Sequence, residues 1–357
     1  MKLVQELPAG PLDIVGDIHG EIGALKNLLS ELGYDLNGSS ARNRKLVFVG
    51  DFCDRGPDSP GVIRIIEKLV SSGSAVAVLG NHEINLLTGD AKDGSGWFFD
   101  SRYASDIPHY APFQKIQEAE KANVIRFLNS LPVALERDDI RIVHASWDQE
   151  KIELIRNLPV GQIKRYHDDW NQQIYIDAKR SGLLQRFLAE KQKWSAEIES
   201  EINPPPFLHA FADYETLQHI HNPLKVLASG FEARTDRAFF SGNRWRFSDR
   251  LPWWNTYDQD IPVVIGHYWR LFDPQPNQPQ SRYSLLFQEL PSTAWHGKNN
   301  NVFCVDYSVG ARWRNRKENL PHTSRFKLAA LQWPEMQLVF DSGEVLTTTN
   351  QPIFIDT

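Results

Sequence analysis

In the first third of the chain, short continuous apolar runs alternate with stretches of helical spacing. LDIV (12–15) is followed by Ile22, Leu25, Leu28, Leu29 and Leu32, spaced as one face of a helix that stops at Gly33. KLVFV (45–49), a second helical face carrying Val62, Ile65, Ile66 and Leu69, and AVAVL (75–79) complete a βαβαβ pattern. Strands that are apolar at nearly every position are covered on both faces, which predicts parallel pairing. Right-handed crossovers then bring the chain after Val15, Val49 and Leu79 to one edge of the sheet.

Beyond Leu79 the pattern loosens. Residues 90–112 read as a loop or lid, 114–131 as a helix and IRIV (140–143) as a fourth core strand. The polar, helically spaced segment 150–222, with NPPPF (203–207) towards its end, reads as an α-helical insertion. IPVVI (261–265) resumes the sheet, PQPNQPQ (274–280) is a surface loop, and VFCV (302–305), FKLAAL (326–331) and QLVF (337–340) are closing strands.

Composition narrows the picture. The 357 residues carry a formal charge of −6, with 41% hydrophobic and 24% charged positions, which excludes disorder, collagen and coiled coil as descriptions of the whole. No apolar run approaches the roughly 18–20 residues of a membrane span, and the opening MKLVQELPAGPLDIVGD lacks the apolar centre of a signal peptide. A cytoplasmic protein with no membrane partner is expected. Two cysteines, Cys53 and Cys304, fit a reducing compartment. A pI near 6.0 argues against stable nucleic-acid binding, which draws on Lys and Arg. A small nucleic-acid substrate stays open.

The informative residues follow the strands. GDIHG (16–20), GDFCDRG (50–56) and GNHE (80–83) each begin with glycine, where the backbone can turn sharply, and two later strands end in VHAS (143–146) and GHY (266–268). Ligand sites of such sheets lie outside the carboxyl ends of the strands, so Asp17, His19, Asp51, Asn81, His144 and His267 are expected on a common edge. Any one of these residues alone is more often a turn, a cap or a structural hydrogen-bonder. Together they are not chance: at roughly one in twenty per residue, GDxHG alone arises in a chain this long about twice in a thousand. Carboxylate, imidazole and amide donors without a thiolate suit Mn, Fe or Zn. Six side chains divide naturally between two ions about 4 Å apart that share the Asp51 carboxylate, a pair able to activate a bridging water as hydroxide for attack at phosphorus.

GDIHG, GDFCDRG and GNHE, with Asp17, Asp51 and Asn81 spaced by 34 and then 30 residues, resemble the signature of the phosphoprotein phosphatase branch of the calcineurin-like metallophosphoesterases. The likeness is strong over about residues 12–90, and VFCVDYSVG with LAALQW is similar to the closing strands of bacterial members. The resemblance implies an α/β fold, a four-layer α/β/β/α sandwich of two mixed sheets, forming a single domain (1–357) interrupted by the 150–222 insertion. It implies Asp17, His19 and Asp51 on one metal and Asp51, Asn81, His144 and His267 on the other. His82 then matches a proton donor to the leaving oxygen, Asp54 the group that orients it, and Arg55 a bidentate phosphate clamp, with Asn81 also at the substrate.

This chain also departs from the pattern. His144-Ala145-Ser146 stands where the family has His-Gly-Gly, and Asp306-Tyr307-Ser308 where it has Asp-Thr-Gly, which leaves Asp306 as a supporting residue. A second phosphate-binding arginine is expected among Arg234, Arg237, Arg244, Arg246 and Arg250; Arg250 is chosen because RLPWW (250–254) precedes the strand of His267. His219 and His221 read as a solvated loop, Cys53 as an apolar filler, and RWRNRK (312–317) as a solvated basic face. Trp97, Phe98, Phe99 and Tyr103 fit either a lid that stacks on a ring or a satellite core.

The leading expectation is a dinuclear phosphatase acting on phosphomonoesters, of phosphorylated proteins or small molecules, through a metal-bridging hydroxide, with two divalent ions, manganese first and iron or zinc next. Glu83 favours this reading, because the family's protein phosphatases tend to read GNHE and its dinucleoside tetraphosphate hydrolases GNHD. A dinucleoside polyphosphate or a nucleic-acid end is the alternative on the same site. A silent phosphate-binding module is the third, and the full ligand set argues against it.

Overall fold

The computed structural model describes residues 1–35, 43–241, 244–272, 286–287, 290–319, 325–350 and 352. After a short strand β1 (Val4–Glu6), the βαβαβ pattern forms as the spacing predicts: β2 (Leu12–Val15), α1 (Ile22–Glu31), β3 (Lys45–Phe48), α2 (Ser59–Ser71) and β4 (Ala75–Ala77). β2, β3 and β4 pair in parallel, with Ile14 opposite Val47 and Val47 opposite Val76. α2 starts where it does because the Asp58 side chain caps the Gly61 amide at 2.8 Å and Pro60 lies in the first turn.

The chain continues through α3 (Asn81–Thr88), α4 (Asp100–Tyr110) and α5 (Glu118–Asn129) to a hairpin of β5 (Ala134–Arg137) and β6 (Ile140–Val143). A helical stretch follows, made of α6 (Gln149–Ile155), α7 (Ile163–Arg180), α8 (Leu183–Lys193), α9 (Ser195–Ile198), α10 (His209–His221) and α11 (Pro223–Ser229). An antiparallel ribbon, β7 (Glu232–Phe240) with β8 (Trp245–Arg250), leads to β9 (Val263–Ile265) and β10 (Val302–Cys304). α12 (Arg312–Glu318), β11 (Ala329–Trp333), β12 (Gln337–Phe340) and β13 (Val345–Thr347) complete the described elements.

Two mixed sheets result. One has the order β13-β12-β11-β2-β3-β4, the other β1-β5-β6-β9-β10. Alternation along β3 builds the layers: Val47 and Val49 join Ile14, Leu135, Ile142, Val264 and Phe303 in the core between the sheets, whereas Leu46 and Phe48 pack with Leu25, Ile63 and Ile66 of the covering helices. Both sheet faces are therefore apolar, and this explains the nearly unbroken runs in the sequence.

Several expectations are corrected here. IRIV and IPVVI do not extend the first sheet: β6 and β9 lie side by side in the second, and VFCV joins them there as β10, parallel to β9. Apolar runs specify a covered strand but not which sheet receives it. Residues 90–112 are not all loop, because α4 lies within them; its inward contacts are polar, through Asp106 and Tyr110, so it shows no apolar stripe. β1, β5 and the β7–β8 ribbon went unread, the ribbon because its residues are half-buried without clean alternation. His219 and His221 sit in the last turn of a helix, not in a loop. The PQPNQPQ segment lies outside the described residues.

Ile14 is wholly buried between the sheets on the strand that leads to Asp17. Ile14→Ala is expected to lower the unfolding free energy by about 2–5 kcal/mol in urea denaturation.

Candidate metal centre

Five strand ends converge here, β2, β3 and β4 from one sheet and β6 and β9 from the other, and the loops that leave them are tied by backbone bonds. The Ile18 and His19 amides both donate to Asp51 O at 2.9 Å, and Gly20 N donates to Phe52 O at 2.8 Å. Packing is close enough to require glycine. A Cβ on Gly50, whose φ is +106°, would stand 2.5 Å from Gly80 N, and one on Gly266 would stand 2.0 Å from Asp17 Oδ1. The backbone is also held in the left-handed region at His19 (φ +46°), Asp51 (+51°), Asp54 (+73°), Arg55 (+67°) and His267 (+70°). Such values are uncommon for residues with a side chain, and their concentration at one edge is the mark of a functional site.

The expected ligands are brought together. Asp51 Oδ2 lies 3.3 Å from His144 Nε2, 3.7 Å from His19 Nε2 and 3.9 Å from His82 Nε2. Asn81 Oδ1 lies 2.9 Å from His267 Nδ1 and 3.3 Å from His144 Nε2. Ligand atoms of Asp51, His144 and His267 all fall within 4.8 Å of one another, and so do those of His19, Asp51 and His82. Asp51 belongs to both groups. Asp17 sits at the border of the second group: its Oδ2 is 3.9 Å from His19 Nε2, and its carboxylate accepts the His267 amide at 3.1 Å.

The donor chemistry fits cations. His144 Nδ1 is 2.8 Å from Val49 O, and since a carbonyl only accepts, Nδ1 carries a ring proton, which leaves Nε2, facing Asp51 and Asn81, as the nitrogen that a cation would take. His19 repeats this, with Nδ1 3.0 Å from Cys53 O and Nε2 facing Asp17 and Asp51. His267 Nε2 is a buried polar atom with no hydrogen-bond partner among the described residues. Burial pulls the His144 pKa down, but the Asp51 and Asp17 carboxylates outweigh it and raise it to about 10. Burial and then Asp306 push Asp17 well above the usual carboxylate range. Both shifts favour added positive charge beside Asp17 and Asp51, whereas burial, with Arg55 and Arg250 next, holds His19 and His267 well below the usual imidazole range.

Around the ligands stand the groups expected to act on substrate. His82 Nδ1 lies 2.5 Å from Asp54 Oδ2, which directs its Nε2 at the centre. Arg55 Nη1 donates to His19 Nε2 at 3.1 Å, and its guanidinium lies 4.8 Å from the centroid of the Trp269 ring. Arg250 Nη1 donates to His267 O at 3.0 Å, so this arginine reaches the back of a ligand. Its competitors Arg234 and Arg244 pair with Asp213 and Glu215 of α10.

Supporting residues follow a different logic from their sequence readings. Glu83 is fully buried, and its carboxylate accepts the amides of Asp51 (2.8 Å), Phe52 (2.9 Å) and Gly80 (3.0 Å). It ties the Asp51 loop to the Gly80 loop, a structural role that the motif letter alone does not disclose. Asp306 accepts the amides of Ser308 and Trp269, both at 2.8 Å. Ser308 takes φ +62° where the family has glycine, and Ala145, wholly buried, keeps the close approach beside His144. Cys53 is a buried filler, as expected. Trp97 and Phe98 are buried and Phe99 packs partly buried against the same core, so these three belong to the core, whereas Tyr103 is exposed. RWRNRK is only partly a solvated face, since Arg312 is buried and pairs with Asp341. Sequence reasoning missed Trp97 as a partner of Asp54, Trp269 beside Arg55, and Gly310, where a Cβ would meet His19 Cδ2 at 2.3 Å. A tryptophan two residues past His267 was the available signal for Trp269.

A family model for calcineurin-like phosphoesterase matches residues 10–308. The bis(5'-nucleosyl)-tetraphosphatase PrpE (asymmetrical) of Oceanobacillus iheyensis is 45% identical over 74 residues, which are 20% of this chain and 30% of that protein. The symmetrical bis(5'-nucleosyl)-tetraphosphatase of Wigglesworthia glossinidia brevipalpis is 43% identical over 74 residues, 21% of this chain and 25% of that protein. The alignments thus span about a third or less of these relatives. The crystal structure of a cold-active protein-tyrosine phosphatase of a psychrophile, Shewanella sp., is 17% identical with a TM-score of 0.44, covering 97% of this chain and 82% of that one. Among the described residues no helix is long and apolar enough to cross a membrane.

Glu83→Gln turns an amide NH2 towards backbone N–H donors and loosens the loop that carries Asp51. Metal affinity is expected to fall about 10–100-fold, measured by chelator competition, with every ligand still present.

Proposed function

The chain belongs to the calcineurin-like phosphoesterase family, and from that premise we propose that it is a phosphohydrolase with two divalent cations that splits phosphomonoesters, carried on proteins or on small molecules. The observation that carries this reading is the Asp51 carboxylate, one oxygen of which stands within 3.9 Å of three imidazole nitrogens. A carboxylate shared in this way is what two neighbouring cations require as a bridge.

Asp17, His19 and Asp51 would hold one ion, and Asp51, Asn81, His144 and His267 the other. The donor set, free of thiolate, suits manganese first and iron or zinc next. When bound, such a pair supplies a nucleophile at neutral pH and draws charge from the phosphoryl oxygens. The residues of the chain do the rest. Arg55 offers its planar guanidinium to two phosphoryl oxygens, and Arg250 adds a second positive charge beside His267. With Nδ1–H held by Asp54, His82 donates a proton from Nε2 to the departing oxygen, the step that a poor leaving group needs most.

A second reading keeps this site and changes the leaving group to a nucleoside polyphosphate or a nucleic-acid end. It is favoured by the tetraphosphatases that match 74 residues of this chain at 43–45% identity.

Purified protein with manganese is expected to release phosphate from p-nitrophenyl phosphate and from phosphopeptides, and Asp51→Asn to abolish both activities. Cleavage of diadenosine tetraphosphate far faster than of any phosphopeptide would transfer the assignment to the second reading. Bound metal with no turnover on any phosphoester would overturn both. His82→Ala is expected to slow phenyl phosphate about 10–100-fold more than p-nitrophenyl phosphate, and equal losses would contradict its role as acid.

A further inference from the structure

We propose that Trp97 is a positioning residue for the His82–Asp54 pair: its indole N–H fixes the Asp54 carboxylate, which in turn holds the proton of His82 on Nδ1 and turns Nε2 towards the leaving oxygen. The inference rests on the phosphohydrolase reading above and names a residue that the reading leaves out.

Trp97 Nε1 donates to Asp54 Oδ1 at 2.6 Å, while His82 Nδ1 stands 2.5 Å from the other oxygen, Oδ2. Indole is a donor only, so the direction of its bond is fixed, and the two oxygens of Asp54 are each taken by a different ring. Trp97 is 2% exposed, so no water competes for this bond at its own surface. Without the indole, a buried carboxylate oxygen loses its donor and the carboxylate is free to rotate away from the imidazole. The loop that presents Trp97 is itself anchored. Gly96 N donates to Asp106 Oδ2 at 2.7 Å, Arg102 bridges Asp106 (3.1 Å) and Asp93 (3.3 Å), and Ile116 N donates to Trp97 O at 2.9 Å. The same loop accepts the Arg55 amide on Gly94 O at 3.2 Å. Residues 93–110 therefore support the acid and the phosphate clamp together, which gives the polar inner face of α4 a purpose.

The test compares Trp97→Phe with the parent protein on two esters at equal metal content. Turnover of phenyl phosphate is expected to fall about 10–100-fold and that of p-nitrophenyl phosphate about threefold or less, with KM within about twofold. In an Asp54→Ala background the same substitution is expected to cost nothing further, because its partner is gone. Equal losses on the two esters, or losses that multiply in the double variant, would overturn the proposal. A readout independent of turnover is the Nδ1–H resonance of His82 in 15N-histidine-labelled protein, expected to shift or exchange faster in Trp97→Phe; an unmoved signal overturns the positioning role. If that signal moves while the parent protein hydrolyses nothing, the phosphohydrolase reading fails and the positioning stands. Should Trp97→Phe not fold, Asp54→Ala decides: one of the eleven indole N–H resonances is expected to move upfield, and an unchanged set refutes the bond.

Discussion

Buried like charge is the constraint on which this molecule turns. Asp17, Asp51, Asp54, Glu83 and Asp306 are all 2% exposed or less and crowd one edge of the sandwich. Desolvation of so many carboxylates is tolerable only if each is answered. The answers come in two kinds. Glu83 and Asp306 are met by backbone amides, charge-assisted bonds that double as ties between loops. Asp17 and Asp51 each accept one amide as well, from His267 at 3.1 Å and His82 at 3.0 Å, but they also face imidazole nitrogens, of His19 and His144, whose other ring atom is committed to a carbonyl, while Asp54 is met by the rings of His82 and Trp97. The division separates carboxylates that build the site from those that serve it.

That division also accounts for what the sequence disclosed. The three early motifs were legible because each is local: a strand, a glycine and a polar residue within a few positions set where Asp17, Asp51 and Asn81 stand, and parallel βαβ crossovers put them on one edge. His144 and His267 were legible as the ends of apolar strands, although periodicity could not say that β6 and β9 belong to the second sheet. What stayed hidden depends on contacts remote in sequence with no periodic trace. The Trp97–Asp54 bond spans 43 positions, and α4 turns polar residues inward. The bonds of Glu83 to three backbone amides were hidden too, since a motif letter says that a carboxylate is present and not which atoms it meets.

The departures from the family motif become intelligible on the same terms. Where a glycine is usual after the late aspartate, Ser308 accepts a left-handed backbone because its amide is held by Asp306 Oδ1, and its hydroxyl donates to Arg270 O at 2.9 Å. Two bonds offset the conformational cost, which for a single residue is about 1–3 kcal/mol. At Ala145 the amide donates to Leu227 O and the carbonyl accepts from Trp253 Nε1, both at 2.9 Å, so a methyl group is accommodated without moving His144.

Those contacts of Ala145 also bear on the helical stretch α6–α11, whose role the sequence left open. Leu227 belongs to α11, the last helix of the stretch, and Val226 beside it accepts the Ser146 hydroxyl at 2.5 Å, so α11 is docked on the loop of His144. His267 is reached by the ribbon that follows, since Arg250 at the end of β8 donates to its carbonyl. The base of that ribbon is joined to α10, where His219 Nε2 lies 3.7 Å from Glu232, and Glu232 accepts Ser248 Oγ at 2.6 Å. Both late histidines therefore rest on elements that the early motifs do not encode, whereas Asp17, His19 and Asp51 rest on the βαβ core. The two halves of the centre are supported by different parts of the chain, and Asp51 is the side chain at which they meet.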